Sequence, residues 1–136
     1  MARVIEDYIK NARDLLDAAQ AEYERAQQER GGAAVIALRN SCGKGWLAAL
    51  EAAYAFFLKQ GVVEEDLPDT DRGRRYFAGR YMDREMRKAF DSMRTTFHID
   101  GYYEGILEFE DMPEYFDELK EFIDGVDLAP ASGALA

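Results

Sequence analysis

The sequence predicts an all-α chain. Apolar residues recur at steps of three and four along most of its length, and glycine and proline gather mainly where that rhythm stops. No segment shows the alternating apolar and polar pattern, bounded by turn residues, that a strand requires. The expected architecture is an up-down four-helix bundle in which two long N-terminal helices form an antiparallel hairpin. A single domain over 1–125 and a flexible C-terminal tail over 126–136 complete that reading.

Helix one is expected from about 3 to 29, on the stripe Ile5, Ile9, Ala12, Leu16, Ala19, Tyr23 and Ala26. The run Arg30-Gly31-Gly32 breaks it. Helix two follows to about 60 through Val35, Leu38, Cys42, Trp46, Ala49, Leu50, Ala53 and Phe57, and Gly61 supplies a left-handed cap. Residues 61–73, GVVEEDLPDTDRG, read as the longest connection. Helix three is expected to start at Asp71 or Arg72 and run unbroken through Met82, Met86, Phe90, Met93 and Phe97, with Gly101 as its stop. Helix four starts at DMPE, where Asp111 caps, Pro113 fits the first turn and Glu114 completes a capping box, and it ends at Gly125. Its short length leaves apolar surface on the longer helices uncovered. A homodimer is the simplest closure.

A chain of 136 residues with 48% apolar content can bury one core without disulfides. Its single cysteine, Cys42, excludes an internal disulfide and a cysteine-built zinc site. Residues 1–29 lack the apolar run of a signal peptide, and no stretch approaches the roughly 20 apolar residues of a membrane helix. A cytoplasmic protein without membrane contact is the expectation. The net charge of −10 repels nucleic acid on average, but it is unevenly spread. Residues 1–71 hold 8 basic and 13 acidic side chains, residues 72–94 hold 8 and 3, and residues 95–136 hold 1 and 11. The middle block is a basic island, suited either to salt bridges with the acidic helices or to phosphate contact.

Gly43-Lys44-Gly45 does not make a phosphate loop, because the spacing is wrong and no strand precedes it. Gly43 is instead expected to allow a close helix approach, with Lys44 in solvent and Trp46 a core anchor. Cys42 lies on the same stripe and reads as a small buried hydrophobe. One histidine with scattered carboxylates has no metal-ligand spacing, so neither a metal nor a cofactor is expected.

On a continuous helix three, Arg80, Arg84, Arg87, Asp91, Arg94 and His98 form one polar stripe beside the core. Asp91 is spaced to pair with Arg87 or Arg94. Such a stripe could hold a phosphodiester, with His98 as acid or base near neutral pH. Equally, cations near a helix C-terminus are favoured by the dipole, and His98 could be structural.

The hairpin carrying GWLAALEAAYAFFLKQG at 45–61, followed by an arginine-bearing helix ending FHIDGYYEG at 97–105, resembles the small PaREP-type proteins of the HEPN (higher eukaryote and prokaryote nucleotide-binding) superfamily. Lys44 with Trp46, and His98 followed by Tyr103, Glu104 and Gly105, carry the likeness. It implies a commonly dimeric helical bundle, in a superfamily whose active members are metal-independent ribonucleases using an Arg and a His with four to six residues between them. Arg94 and His98 are the matching positions, but only three residues separate them and Thr95 stands where a polar amide or acid is usual. Other members bind partners, such as nucleotidyltransferases, or nucleotides. The resulting expectation is a non-catalytic module that binds a partner protein or a nucleotide-containing ligand through Arg80, Arg84, Arg87, Arg94, His98, Tyr103 and Glu104. A ribonuclease using Arg94 and His98 across a dimer, and a purely structural bundle, are the alternatives.

Overall fold

The computed structural model describes residues 3–131, and among these the chain is all-α with no strand. Five α-helices follow in order: α1 over Ile5–Gln28, α2 over Gly31–Lys59, α3 over Asp71–Tyr81, α4 over Arg84–Met93 and α5 over Met112–Leu128. A π-helical segment, Arg94–Glu104, continues α4. None of these helices is long and apolar enough to cross a membrane.

α1 and α2 pair antiparallel, because Ser41 packs near Ala19 while Glu51 reaches Arg3 and Asn11 at the other end. The Ser41 hydroxyl donates to the Ala19 carbonyl at 2.6 Å, which satisfies a hydroxyl buried to zero exposure. Every residue of the predicted α1 stripe from Ile9 to Ala26 is buried. On α2 the stripe holds from Leu38 onward, but Val35 is 49% exposed. α2 ends as expected: Gly61 takes φ 95°, and the Val62 amide returns to the Phe57 carbonyl.

The unbroken helix three is corrected. Met82 and Asp83 are extended, and the chain folds back there, so that α3 and α4 are antiparallel: Gly79 lies against the Arg87 guanidinium and Asp71 meets Arg94. The reason is capping. Thr70 accepts from the Gly73 amide to start α3, and the Asp83 carboxylate accepts from the Met86 amide at 2.8 Å to start a new helix. Met82 still reaches the core, so its apolar spacing gave no sign of the break.

Gly101 does not stop this helix either. It is buried inside the π segment, and the turn that ends the segment is Gly105, at φ 65°. α5 begins without the expected cap. Asp111 belongs to a preceding 3-10 turn and has helical backbone angles, so its carboxylate makes no capping hydrogen bond; Pro113 does sit in the first turn. α5 then passes Gly125 and runs to Leu128, with Val126 fully buried. The Lys59 ammonium donates to the carbonyls of Val126, Asp127 and Ala129, holding this end in place. Residues 126–128, placed in the expected tail, are therefore helical, and residues 132–136 of that tail lie outside the described residues.

The core joins α2, α4, the π segment and α5 through aromatic rings. Phe90 lies between Trp46 of α2 and Phe122 of α5, and Phe97 stacks on Phe116. α1 is tied to α5 by Arg13, which donates to Asp124 and Asp127, and by the Tyr23 hydroxyl, which donates to the Phe109 carbonyl ahead of α5.

Candidate functional site

Where α2 meets the π segment, two backbones approach with almost no side chain between them. A Cβ on Gly101 would stand 2.6 Å from the Cys42 Cβ and sulfur, and one on Gly45 would stand 2.8 Å from the Phe97 ring. Gly43 faces the Tyr102 ring in the same way. The close approach expected of Gly43 is therefore present, and its partner is a residue after His98. Opposite, Arg39 donates to the carbonyls of Tyr102 and Tyr103 at 2.8 and 2.6 Å, which satisfies two of the acceptors left over at a helical C-terminus.

This seam sets the surroundings of His98. Its ring is stacked on Trp46, with centroids 5.3 Å apart and planes at 19°, and the Tyr103 ring meets it edge-on at 5.0 Å. Among the described residues no hydrogen bond reaches its ring nitrogens, and the side chain is half-buried. His98, Trp46 and Tyr102 line an open groove of about 420 Å³, completed by Asn40, Gly43, Lys44 and Leu47 from α2. That volume lies within the range of small-ligand sites, which are mainly apolar with a few polar groups that fix orientation. Trp46 is thus both the core anchor expected and a wall of the groove. Lys44 does not point freely into solvent: its ammonium pairs with Glu22 at 3.3 Å.

Arg94 is differently placed. Its guanidinium makes two 2.8 Å hydrogen bonds to the Asp71 carboxylate, a bidentate pair formed only because α3 folds back. The pair holds Asp71 below the usual carboxylate range and keeps Arg94 firmly charged. Asp91, spaced for either arginine, pairs with Arg87 alone, loosely at 4.0 Å. Burial lowers the His98 pKa from its ordinary value near 6.5; nearby Asp71 works against that shift, while Arg94 and Arg74 add to it. The neutral imidazole is the form this environment favours.

The single stripe expected from Arg80 to His98 loses Arg80 to the fold-back, while Arg84, Arg87, Asp91, Arg94 and His98 stay in sequence along α4 and its π continuation. Arg80 belongs to α3, with its guanidinium over Tyr81, and Arg84 starts α4, about 15 Å along the axis from Arg94 at 1.5 Å per residue. Only Arg94, His98 and Tyr103 of the predicted set come together; Glu104 is exposed at the end of the π segment. Within the basic island two cations are ion-paired among the described residues, Arg87 with Asp91 and Arg94 with Asp71, while Arg74 donates to the neutral Tyr54 hydroxyl and the Asp69 backbone carbonyl. Among the described residues the island makes no ion pair with α1 or α5. Asn40 and Leu47 were not legible as site residues; the two glycines beside Lys44 were the one signal of the seam.

Cys42 faces Gly101 in the closed part of the seam, and burial pushes its thiol up to about 12, so it carries no thiolate at neutral pH. No group of three or more His, Cys, Asp or Glu among the described residues is arranged to hold a metal ion. Compared with models of known families, with curated proteins and with solved structures, the chain matches none.

The His98 pKa can be read directly, because the chain has one histidine. Its imidazole proton signals should titrate with a midpoint below 6.5. The sign for stability follows: below about pH 6.5 the unfolded chain takes up a proton that the folded chain resists, so stability falls as pH drops through that window. A midpoint above 6.5 would mean that Asp71 outweighs burial.

Proposed function

We propose that the chain is a non-catalytic binding module, a dimeric bundle of HEPN type that holds a partner protein or a nucleotide-containing ligand in the groove between α2 and the π segment. One observation carries this reading: Arg94 is closed off by Asp71, whereas His98 is laid flat on Trp46 with unengaged nitrogens beside an open, largely apolar groove. A phosphodiester would need the reverse, a free guanidinium next to an imidazole poised near neutrality. Flat aromatic walls with a few hydrogen-bonding groups suit stacking recognition.

The bundle part of the proposal is supported by pairings. Cys42 against Gly101 and Trp46 against Phe90 and His98 set α4 and the π segment antiparallel to α2; Phe90 near Phe122 and Phe97 near Phe116 set them antiparallel to α5. Four legs of alternating direction result, with α3 as a short helix folded beside them. The homodimer is supported by the start of α2, where residues 31–38 carry no charge and Val35 and Ile36 are 49% and 62% exposed. Exposed Ile106 follows Gly105, which lies against Arg39 of the same helix. A helix apolar on all sides is ordinarily covered.

The test uses the single tryptophan. Adenosine monophosphate and a short oligoribonucleotide are titrated separately in EDTA while Trp46 emission and RNA integrity are followed. The expected result is a saturable emission change with either probe, lost in His98→Ala, with the RNA intact. RNA cleavage that disappears in His98→Ala would overturn the non-catalytic reading in favour of a metal-independent ribonuclease. A silent Trp46 with both probes would remove the nucleotide and leave the partner protein.

A further inference from the structure

A second cavity lies on the other flank of α4, away from His98. It is a trough of about 600 Å³ between α4 and α5. The two helices cross-pack through Phe90 and Phe122 but part above them, because Gly125 offers no side chain and a Cβ there would meet nothing within 4 Å. The floor is apolar: Met93 and Phe122 are buried, and Met86 and Ala89 are half-buried, with one face open. Methionines on a floor of this kind adapt to varied apolar shapes.

The rim is mainly acidic. Asp83 and Glu85 stand on the α4 side, and Glu118 and Glu121 on the α5 side, with Lys88 the single cation along the trough. Among the described residues none of these four acids enters an ion pair. Burial, together with Glu114 and Glu121, raises the Glu118 pKa, which marks carboxylates crowded without a counter-charge. From Glu118 to Gly125 the α5 wall spans about 10 Å at 1.5 Å per residue, or two helical turns.

We propose that this trough docks a basic amphipathic helix of a partner protein, its apolar face on Met86, Ala89 and Phe122 and its Lys or Arg side chains against the acidic rim. The occupant is argued from charge. An apolar floor between antiparallel helices accepts a third helix, as in helix-in-groove recognition, and the rim selects a cationic one. A second copy of this chain, at net charge −10, is opposed by the same rim. This inference does not rest on the groove at Trp46.

The probe is a fluorescently labelled 14-residue amphipathic peptide built of leucine and lysine, titrated against the full chain by anisotropy. Binding should weaken at least tenfold in Glu118→Lys/Glu121→Lys. It should change less than twofold in Asp17→Lys/Glu24→Lys, which alters net charge equally on exposed parts of α1. Gly125→Leu fills the trough and should also weaken binding at least tenfold, with helical circular dichroism retained. Equal weakening by both charge reversals would reduce the effect to general attraction by an acidic protein, and an unchanged affinity in Gly125→Leu would place the peptide elsewhere; either result overturns the proposal. Dissociation of an oligomer by Gly125→Leu, seen by light scattering, would overturn it in favour of a second copy. Loss of nucleotide response at Trp46 in these variants is not expected, so the two sites fail or stand separately.

Discussion

Gly101→Ala should lower the free energy of unfolding by about 3 kcal/mol, at the upper end of what overpacking a closed core costs. The added methyl would lie 2.6 Å from both the Cβ and the sulfur of Cys42 and 3.0 Å from the Thr96 carbonyl oxygen. None of these can move cheaply: Cys42 is fully buried on α2 and the carbonyl is backbone. Urea denaturation followed by circular dichroism reads the change as a shifted midpoint. Gly43→Ala is the comparison, because its neighbour at 3.1 Å is the ring of Tyr102, a side chain 44% exposed rather than buried core or backbone. A smaller loss is expected there. Equal losses at the two positions would mean that the seam is no tighter at Gly101 than at its edge.

Phe90→Ala should cost about 3–5 kcal/mol, the usual range for emptying a fully buried aromatic site. Phe90 has no exposed surface and joins Trp46, at 5.5 Å, to Phe122, at 6.2 Å, so its removal opens a void among three helices. Domains of this size are stable by only about 5–15 kcal/mol, so the variant should be close to unfolding at physiological temperature. Trp46 emission should shift to the red as water reaches it. Tyr76→Ala, on an aromatic residue 64% exposed, should leave the denaturation midpoint almost unchanged. A Phe90→Ala midpoint near that of Tyr76→Ala would contradict the packing.

Both predictions depend on contacts that periodicity could locate only on one side. Cys42, Trp46, Phe90 and Phe97 were all legible as buried, since each falls on a stripe of three and four. Which stripe faces which was not, and Gly101 was legible only as a helix breaker, the commonest local meaning of glycine. Its role here is to carry no side chain against Cys42, and that depends on a residue 59 positions away in the chain. The candidate site was read in the same partial way. Arg94 and His98 were found, but as members of one row with Arg80, Arg84 and Arg87. Trp46, their most consequential neighbour, was assigned to the core alone.

By itself the sequence determined that the chain is helical, where α1 and α2 end, and that α2 carries glycines where another backbone must come close, although Gly31 and Gly32, read as a break, open α2. Those properties are local, set by 3.6-residue apolar spacing and by residues such as Gly61 that take angles others avoid. Only the tertiary structure decided that helix three folds back at Met82 and Asp83, and that its second half widens into a π segment ending at Gly105. The apolar phase runs through Met82 without interruption, so periodicity did not distinguish a break from a continuation, and Asp83 caps a new helix only once the chain has turned there. What distinguishes them is the set of contacts that the fold-back makes possible, Asp71 on Arg94 and Gly101 against Cys42. Those contacts turn a predicted row of cations into a closed ion pair beside a histidine stacked on tryptophan.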